Sequence, residues 1–492
     1  MSATASAAPV SEDRGFFGHP RGLATLFFTE MWERFSYYGM RAILVLFFTA
    51  SVADGGMGME KGLASSLVSV YGAAIYMSAL VGGWLADRIL GGQRSVFYGG
   101  VLIMAGHICM ALPFGATTVY LGLLLIILGT SLLKPNISAV VGGLYSEQDR
   151  RRDAGFSIFY MGINIGSFAG QIITGYLGEE INWHLGFGAA AVGMALGLVQ
   201  YRLGGRHLRG AGATPPNPLT TEERSKALAR FGLAAVVLVV VGAALYFLGR
   251  LDAKGVTDVI SLASLLLPIA YFTMMMRSPK TTNVERDRLK AYVPLFLAAV
   301  LFWLIFEQAA NVLNLYAQGR VDRNLAGFEI PASWFQSVNP LFIMVLAPLV
   351  AWVWIRLGDR QPSTPRKFAM SLAVVGSSFA VLALVSVITD GKVSPLWLLL
   401  VYGIQTVAEL LLSPVGLSAT TKLAPAAFTS QMMAMWFLAT AAGYGIAAQV
   451  VPFYSPENEL PYFGILGACA VALAVLVWIG AKRIRGLMHG VG

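Results

Sequence analysis

Charge is scarce in this sequence: Asp, Glu, Lys and Arg make up 12% of its 492 residues, about half the share in a soluble domain. That shortage, set against 56% hydrophobic residues, excludes a water-soluble globule and reads as an all-α polytopic membrane protein. Cysteine is scarcer still. Cys109 and Cys469 both fall in apolar stretches, so no disulfide framework is implied. A cleavable signal is also missing, because Met1 to Pro20 is polar and small with no basic segment leading into a short apolar core. The first apolar span is therefore expected to stay in the mature chain. No phosphate loop, metal-ligand cluster or nucleophile–base pair is legible, so no cofactor and no enzyme chemistry are expected. Without an ATP-hydrolysing motif, uphill transport would have to draw on an ion gradient.

Apolar runs predict spans at 22–50, 61–86, 95–113, 117–141, 154–178 and 183–203. A linker precedes 228–249 and 256–276, and then come 289–318, 332–357, 367–389, 394–421, 427–451 and 461–481. The expected organisation is a tail at 1–20, a six-helix bundle at 21–204 and a linker at 205–280 carrying an accessory helix pair. A second six-helix bundle at 281–486 and a tail at 487–492 complete it. Two six-helix halves suit structural repeats with a site near the midplane, and the accessory pair reads as packing filler. Prolines within spans (Pro135, Pro340, Pro348 and Pro414) are tolerable where neighbours satisfy the freed carbonyls, and Pro135 and Pro414 are expected to open their helices.

With the N-terminus inside, the outer loops hold six basic residues: Lys61, Arg250, Lys254, Arg320, Arg323 and Lys392. Three more lie within spans, and the other twenty-six of the thirty-five fall on the inner side. This bias places both termini in the cytoplasm. The net charge of +9 is then an orientation signal and not a nucleic-acid footprint.

Within the spans, charge concentrates in EMWERFSYYGMRAIL, Glu30 to Leu44. At 100° per residue Glu30, Glu33, Arg34, Tyr37, Tyr38 and Arg41 share an arc of roughly 140° that rises about 16 Å. Each ionisable group at that depth costs at least ~2.5–3.5 kcal/mol, so the face needs partners and a wet cavity. A surface amphipathic helix would have a broad, Lys-rich polar face instead. The other deep charges are Lys134, Glu307 and Glu409, giving three bases against four acids. Lys134 must deprotonate or find a carboxylate, and Glu30 and Glu33 are on offer. Tyr160, Asn164, Ser167 and Gln171 form one polar stripe, with Gly162, Gly166 and Gly170 allowing close helix packing. Glu307, Asn311, Asn314 and Gln318 form another, preceded by Trp303. Glu409 shares a face with Ser413, Asn339 precedes Pro340, and Trp436 enters from the span at 427–451. His107 reads as a satisfied core residue. Bases in the first half and an acid in the second suit a zwitterion, its carboxylate at Arg and Lys and its ammonium at Glu.

At this point the sequence resembles a known family. ExxERFxYYG stands at Glu30–Gly39, FYxxINxGS at Phe159–Ser167, GGWLADRILGGQR at Gly82–Arg94 and FEQ at Phe306–Gln308. Together they resemble the bacterial proton-dependent oligopeptide transporters (the POT/PTR family) of the major facilitator superfamily, over essentially residues 20–485. The resemblance implies the major facilitator fold, two six-helix bundles plus an extra two-helix hairpin, fourteen transmembrane helices in all. It implies proton-coupled symport of di- and tripeptides by alternating access across the inner (plasma) membrane, with no obligate protein partner. By motif, Arg41 and Lys134 would hold the peptide carboxylate, and Glu409 with Asn164 and Asn339 the amino terminus. Tyr37, Tyr38, Tyr76, Ser413 and Trp436 would line the pockets. Glu30, Glu33, Arg34 and Lys134 would form the proton-coupling set with Glu307, which would pair with Arg41 when the outer gate is closed. The group from Asp87 to Arg94 would be a charge latch between domains. Nitrate or an amino-acid conjugate is the alternative solute, and Glu30 with Glu33 argues against nitrate. A peptide sensor that does not transport is the alternative class, for which no signalling domain is legible.

Overall fold

The computed structural model describes residues 13–146 and 149–491; most of the expected tail at 1–20 and Gly492 lie outside them. Among the described residues there are fifteen α-helices: α1 Arg21–Thr49, α2 Lys61–Leu85, α3 Gly92–Ala111, α4 Ala116–Gly142 and α5 Arg152–Tyr176. Then follow α6 Trp183–Gly204, α7 Thr221–Phe247, α8 Ala253–Arg277, α9 Asn283–Phe306 and α10 Val312–Arg320. The series ends with α11 Val338–Leu357, α12 Thr364–Ile388, α13 Pro395–Lys422, α14 Thr429–Val450 and α15 Glu459–Leu487. Thirteen of the long helices have the length and apolar composition to cross a membrane. The fourteenth span is α1, whose 29 residues would reach about 43 Å and which falls short of that composition through its own charges.

One predicted span is not one helix. The run at 289–318 breaks after Phe306 into a tight turn at Glu307–Ala310, and Asn311 departs from helical angles (φ −127°, ψ −86°). The Asn311 side-chain oxygen accepts the Val312 N–H at 2.6 Å and its amide donates to Ser69 Oγ of α2 at 2.8 Å. An asparagine thus starts α10 in the manner of a helix cap. The expected stripe is lost with the helix: Asn311 and Asn314 are buried, whereas Gln318 is exposed.

Prolines behave in the opposite way. Helix α4 runs unbroken through Pro135 and α13 through Pro414, where openings were expected. The Ser131 carbonyl that Pro135 deprives of its helical donor meets Gly82 of α2, where any Cβ would collide with it. Asn136 donates to the Leu132 carbonyl at 2.7 Å, bracing the same turn. Pro340 sits third in α11, in the first turn, where a missing N–H costs no hydrogen bond.

By packing, the chain divides into two compact units. The first comprises the residues up to Met40 with Ser78–Asp252, and the second comprises Arg41–Met77 with the residues from Ala253 onward. This division falls elsewhere than the chain-order bundles, since α1 and the first part of α2 supply residues to the second unit.

In the first unit glycines set helix distances. A Cβ on Gly129 would stand 2.5 Å from the Gly99 carbonyl, and one on Gly106 2.6 Å from that of Gly122, so α3 and α4 touch backbone to backbone. A Cβ on Gly162 would stand 2.9 Å from the Phe27 ring, while side chains at Gly166 and Gly170 would collide with the Met31 and Phe35 carbonyls. The three glycines pack α5 on α1, as expected. Leu23, Leu26, Ile103, Leu133, Ile137 and Met194 fill the core beside them. His107 is fully buried, but among the described residues neither ring nitrogen has a hydrogen-bond partner, which corrects the expectation of a satisfied core histidine. The chain before α1 is clipped down where His19 Nδ1 meets the Tyr145 hydroxyl at 2.9 Å and Arg151 donates to the Gly18 carbonyl at 3.0 Å. The Arg151 guanidinium, bonded to Asp149 at 2.8 Å, holds that carboxyl below its usual range. Burial, aided by the charge of Arg151, pushes the His19 imidazole down.

In the second unit α12 packs on α15 at Gly376 and Gly467, and α14 on α9 where Gly443 faces the Leu304 N–H. The accessory helices differ. Helix α8 buries Thr257, Ser261 and Ser264, and Gly445 of α14 leaves room for the Ser264 hydroxyl. Helix α7 buries none of its residues, although its Phe231 meets the Trp84 ring of α2 at 5.4 Å. Its start is tied down instead: Glu223 pairs with Arg88 at 2.7 Å. The linker before it donates from Asn217 and Leu219 to the Asp87 and Arg88 carbonyls. The expected latch residue Arg88 therefore bonds an accessory helix of its own unit.

Candidate functional site

The charged face of α1 is buried as its periodicity requires. Glu30, Glu33 and Arg34 are at most 3% exposed, Tyr37 is buried and Tyr38 half-buried. Arg34 Nε lies 3.0 Å from Glu30 Oε1 and also contacts Glu33 Oε2, so one guanidinium serves both carboxylates. The same guanidinium lies over the rings of Tyr37 and Tyr38, with centroids 5.4 and 5.9 Å away. Lys134 of α4, half-buried, acts electrostatically on both Glu30 and Glu33, the carboxylates expected for it. On α5, Asn164 donates to the Tyr160 carbonyl at 2.9 Å and Ser167 to that of Ile163 at 2.9 Å. Asn164, Ser167 and Gln171 are buried, but Tyr160 is 43% exposed. All these groups belong to the first unit.

The second unit holds a different constellation. Arg41 forms an ion pair with Glu307, in the turn after α9. The Tyr444 hydroxyl of α14 donates to the same carboxylate oxygen, Glu307 Oε2, at 2.5 Å. Arg41 also lies over the Tyr444 ring at 5.8 Å, and Tyr76 of α2 lies beside that ring at 6.0 Å with 30° between planes. On the neighbouring helices Asn339 donates to Glu409 Oε2 and to Thr406 Oγ1, both at 3.1 Å. Thr406 in turn donates to the Tyr402 carbonyl at 2.8 Å. Ser413 Oγ, Trp303 Nε1 and the Tyr402 hydroxyl are buried atoms with no hydrogen-bond partner among the described residues. Trp436 is buried, its ring lying where a side chain at Gly416 would be.

Sequence reasoning placed Arg41 with Glu307 and Glu409 near Asn339, and the structure makes both contacts. It missed Tyr444 and Thr406. Neither carries a signal in sequence, because a hydroxyl among apolar neighbours acquires its meaning from residues far along the chain. Among the described residues no group of three or more His, Cys, Asp or Glu is placed to hold a metal ion.

Chemically, the second constellation offers a guanidinium whose present anion is a carboxylate and a second carboxylate held by an amide. The first offers two carboxylates and a lysine around a fixed guanidinium. These are groups for ionic ligands and protons.

Comparison with known proteins agrees. A family model described as the POT family matches residues 93–466. The chain is 45% identical over 493 residues to the di-/tripeptide transporter of Lactococcus lactis subsp. cremoris, covering 97% of this chain and 98% of that one. It is 48% identical over 482 residues to the transporter YclF of Bacillus subtilis, covering 97% of each. A crystal structure of a peptide transporter in complex with sulfate superposes with a TM-score of 0.94 at 51% identity, covering 98% of both chains. The fold is thus that of the major facilitator superfamily, two six-helix bundles with an extra helix pair, in a multi-pass membrane protein. With its matched span and its near-full-length relatives, this chain belongs to the POT family of transporters.

Proposed function

We propose that the protein imports di- and tripeptides by proton-coupled symport, alternating the access of its binding site between the two sides of the plasma membrane. The observation that carries this reading is the sharing of Glu307 Oε2 by Arg41 and Tyr444. A peptide carboxylate can reach Arg41 only in competition with Glu307, and protonating Glu307 removes the competitor's charge. Proton uptake and peptide binding then favour the same state, which is what symport requires. The names of the relatives, a di-/tripeptide transporter and a peptide transporter, support the substrate class.

In this mechanism Arg41 and Lys134 take the peptide carboxylate. Glu409, with Asn164 and Asn339, takes the amino terminus, and the Asn339 amide donates to the Glu409 carboxylate. Tyr37, Tyr38, Tyr76, Ser413 and Trp436 line the pockets, and the faces of the four aromatic rings accept varied side chains with few fixed hydrogen bonds. Glu30, Glu33, Arg34 and Lys134 act with Glu307 in proton coupling. The basic bias of the inner loops supports cytoplasmic termini, and the transporter works in the bilayer with no obligate protein partner. The test is uptake of labelled dialanine into proteoliposomes. Accumulation above equilibrium under an inward proton gradient, collapsing with a protonophore, is expected. Binding without such accumulation would overturn the symport reading.

A further inference from the structure

The contacts of Tyr444 go beyond those of a core tyrosine. Its hydroxyl donates to Glu307 Oε2 at 2.5 Å, the oxygen that also receives Arg41. Its ring is seated by three features of the same unit. Gly72 of α2 leaves it room, since a Cβ there would stand 2.5 Å from the ring atoms Cε1 and Cζ. Tyr76, one turn further along α2, lies beside it at 6.0 Å, and Arg41 lies over its face at 5.8 Å. The ring is 2% exposed, so water does not replace the phenol easily.

We infer that Tyr444 is a positioning residue that sets the pH at which the Arg41–Glu307 pair opens, held in place by Gly72. This inference rests on the proposed proton coupling of Glu307. A hydroxyl that donates to a carboxylate favours its charged form. Protonation of Glu307 removes the charge that both donors bond, so the phenol's hydrogen bond weakens to one with a neutral carboxyl and Arg41 loses its anion in the same event. Tyr444 therefore opposes opening until protons are abundant. Charged and titratable groups acting at this point include Arg41 from α1 and Glu409 from α13, which interacts electrostatically with Glu307. Tyr402 from α13 faces Arg41, and Tyr76 from α2 faces Tyr444.

The experiment uses the full chain in two formats. In proteoliposomes, the external pH of half-maximal dialanine uptake is read for wild type, Tyr444→Phe, Gly72→Ala and the double variant. Each is scaled to its own maximum, so a general loss of rate does not move the midpoint. Loss of one donor to a charged group shifts the midpoint upward by about one pH unit. Gly72→Ala should move it the same way, and the double variant should add little to Tyr444→Phe. In detergent, infrared difference spectra titrate the carboxyl band that Glu307→Gln removes, and Tyr444→Phe should move that titration upward too. An unmoved or lowered band titration in Tyr444→Phe overturns the inference whatever transport does. A moved titration in a protein that accumulates no dialanine would sustain the role of Tyr444 and reject the symport reading.

Discussion

The two units handle buried charge in different ways. In the first, Glu30, Glu33 and Arg34 lie within little more than one turn of α1, so helix geometry fixes their spacing however the helix moves. In the second, Arg41, Glu307 and Tyr444 come from α1, the turn after α9, and α14, and Asn339 and Glu409 from α11 and α13. Contacts between separate helices can be made and broken by small shifts of rigid helices. The triad of the first unit keeps its spacing, and Lys134 of α4 joins it from another helix. The pairs of the second unit are the part that can switch.

The sharpest way to break this comparison is to remove the centre of the triad. Arg34→Ala leaves two carboxylates side by side in a buried helix, and breaking such a set costs about 3–5 kcal/mol. Little folded protein should survive extraction, and thermal unfolding in detergent should show a large loss. Wild-type stability in Arg34→Ala would mean that the triad does not hold α1. A smaller loss is expected from Gly166→Val, whose side chain meets the Met31 carbonyl. Overpacking of this kind costs about 1–3 kcal/mol. The same unfolding measurement checks it, and an unshifted transition would show that α5 need not lie against α1. The smallest effect belongs to Glu223→Gln. Its carboxylate is half-exposed, so solvent screens the pair with Arg88. Unfolding and uptake should match wild type; a marked fall in uptake with unchanged unfolding would instead make the Arg88–Glu223 contact part of the switch.

The sequence made the spans and the charged face of α1 legible because both depend on local periodicity. Among the described residues thirteen helices are long and apolar enough to cross a membrane, and the charges that keep α1 from that set are what mark its polar face. The break at Glu307–Asn311 was not legible. No proline or glycine marks it, and Asn311 leaves the helix where it also bonds Ser69, 242 residues away in the chain. Pro135 misled in the other direction, since the glycine that accommodates its freed carbonyl is on another helix. The spans themselves pointed to Arg41, Glu307, Asn339 and Glu409, and the motif resemblance supplied the pairing of Arg41 with Glu307 and the grouping of Asn339 with Glu409. Tyr444 lies outside those motifs, and its value rests on a three-way contact that no stretch of sequence contains. The bare exposure of α7 was also hidden, because its composition is that of any buried or lipid-facing helix.

The most direct test of the switching pair is Glu307→Gln in proteoliposomes, with gradient-driven accumulation and counterflow exchange of labelled dialanine read separately. Glutamine keeps the size of the side chain and removes the charge that competes for Arg41. The account predicts that accumulation under an inward proton gradient is lost while exchange of peptide for peptide persists. Accumulation at wild-type levels in Glu307→Gln would contradict it, because the Arg41–Glu307 contact would then be a structural pair and not the point where proton and peptide meet.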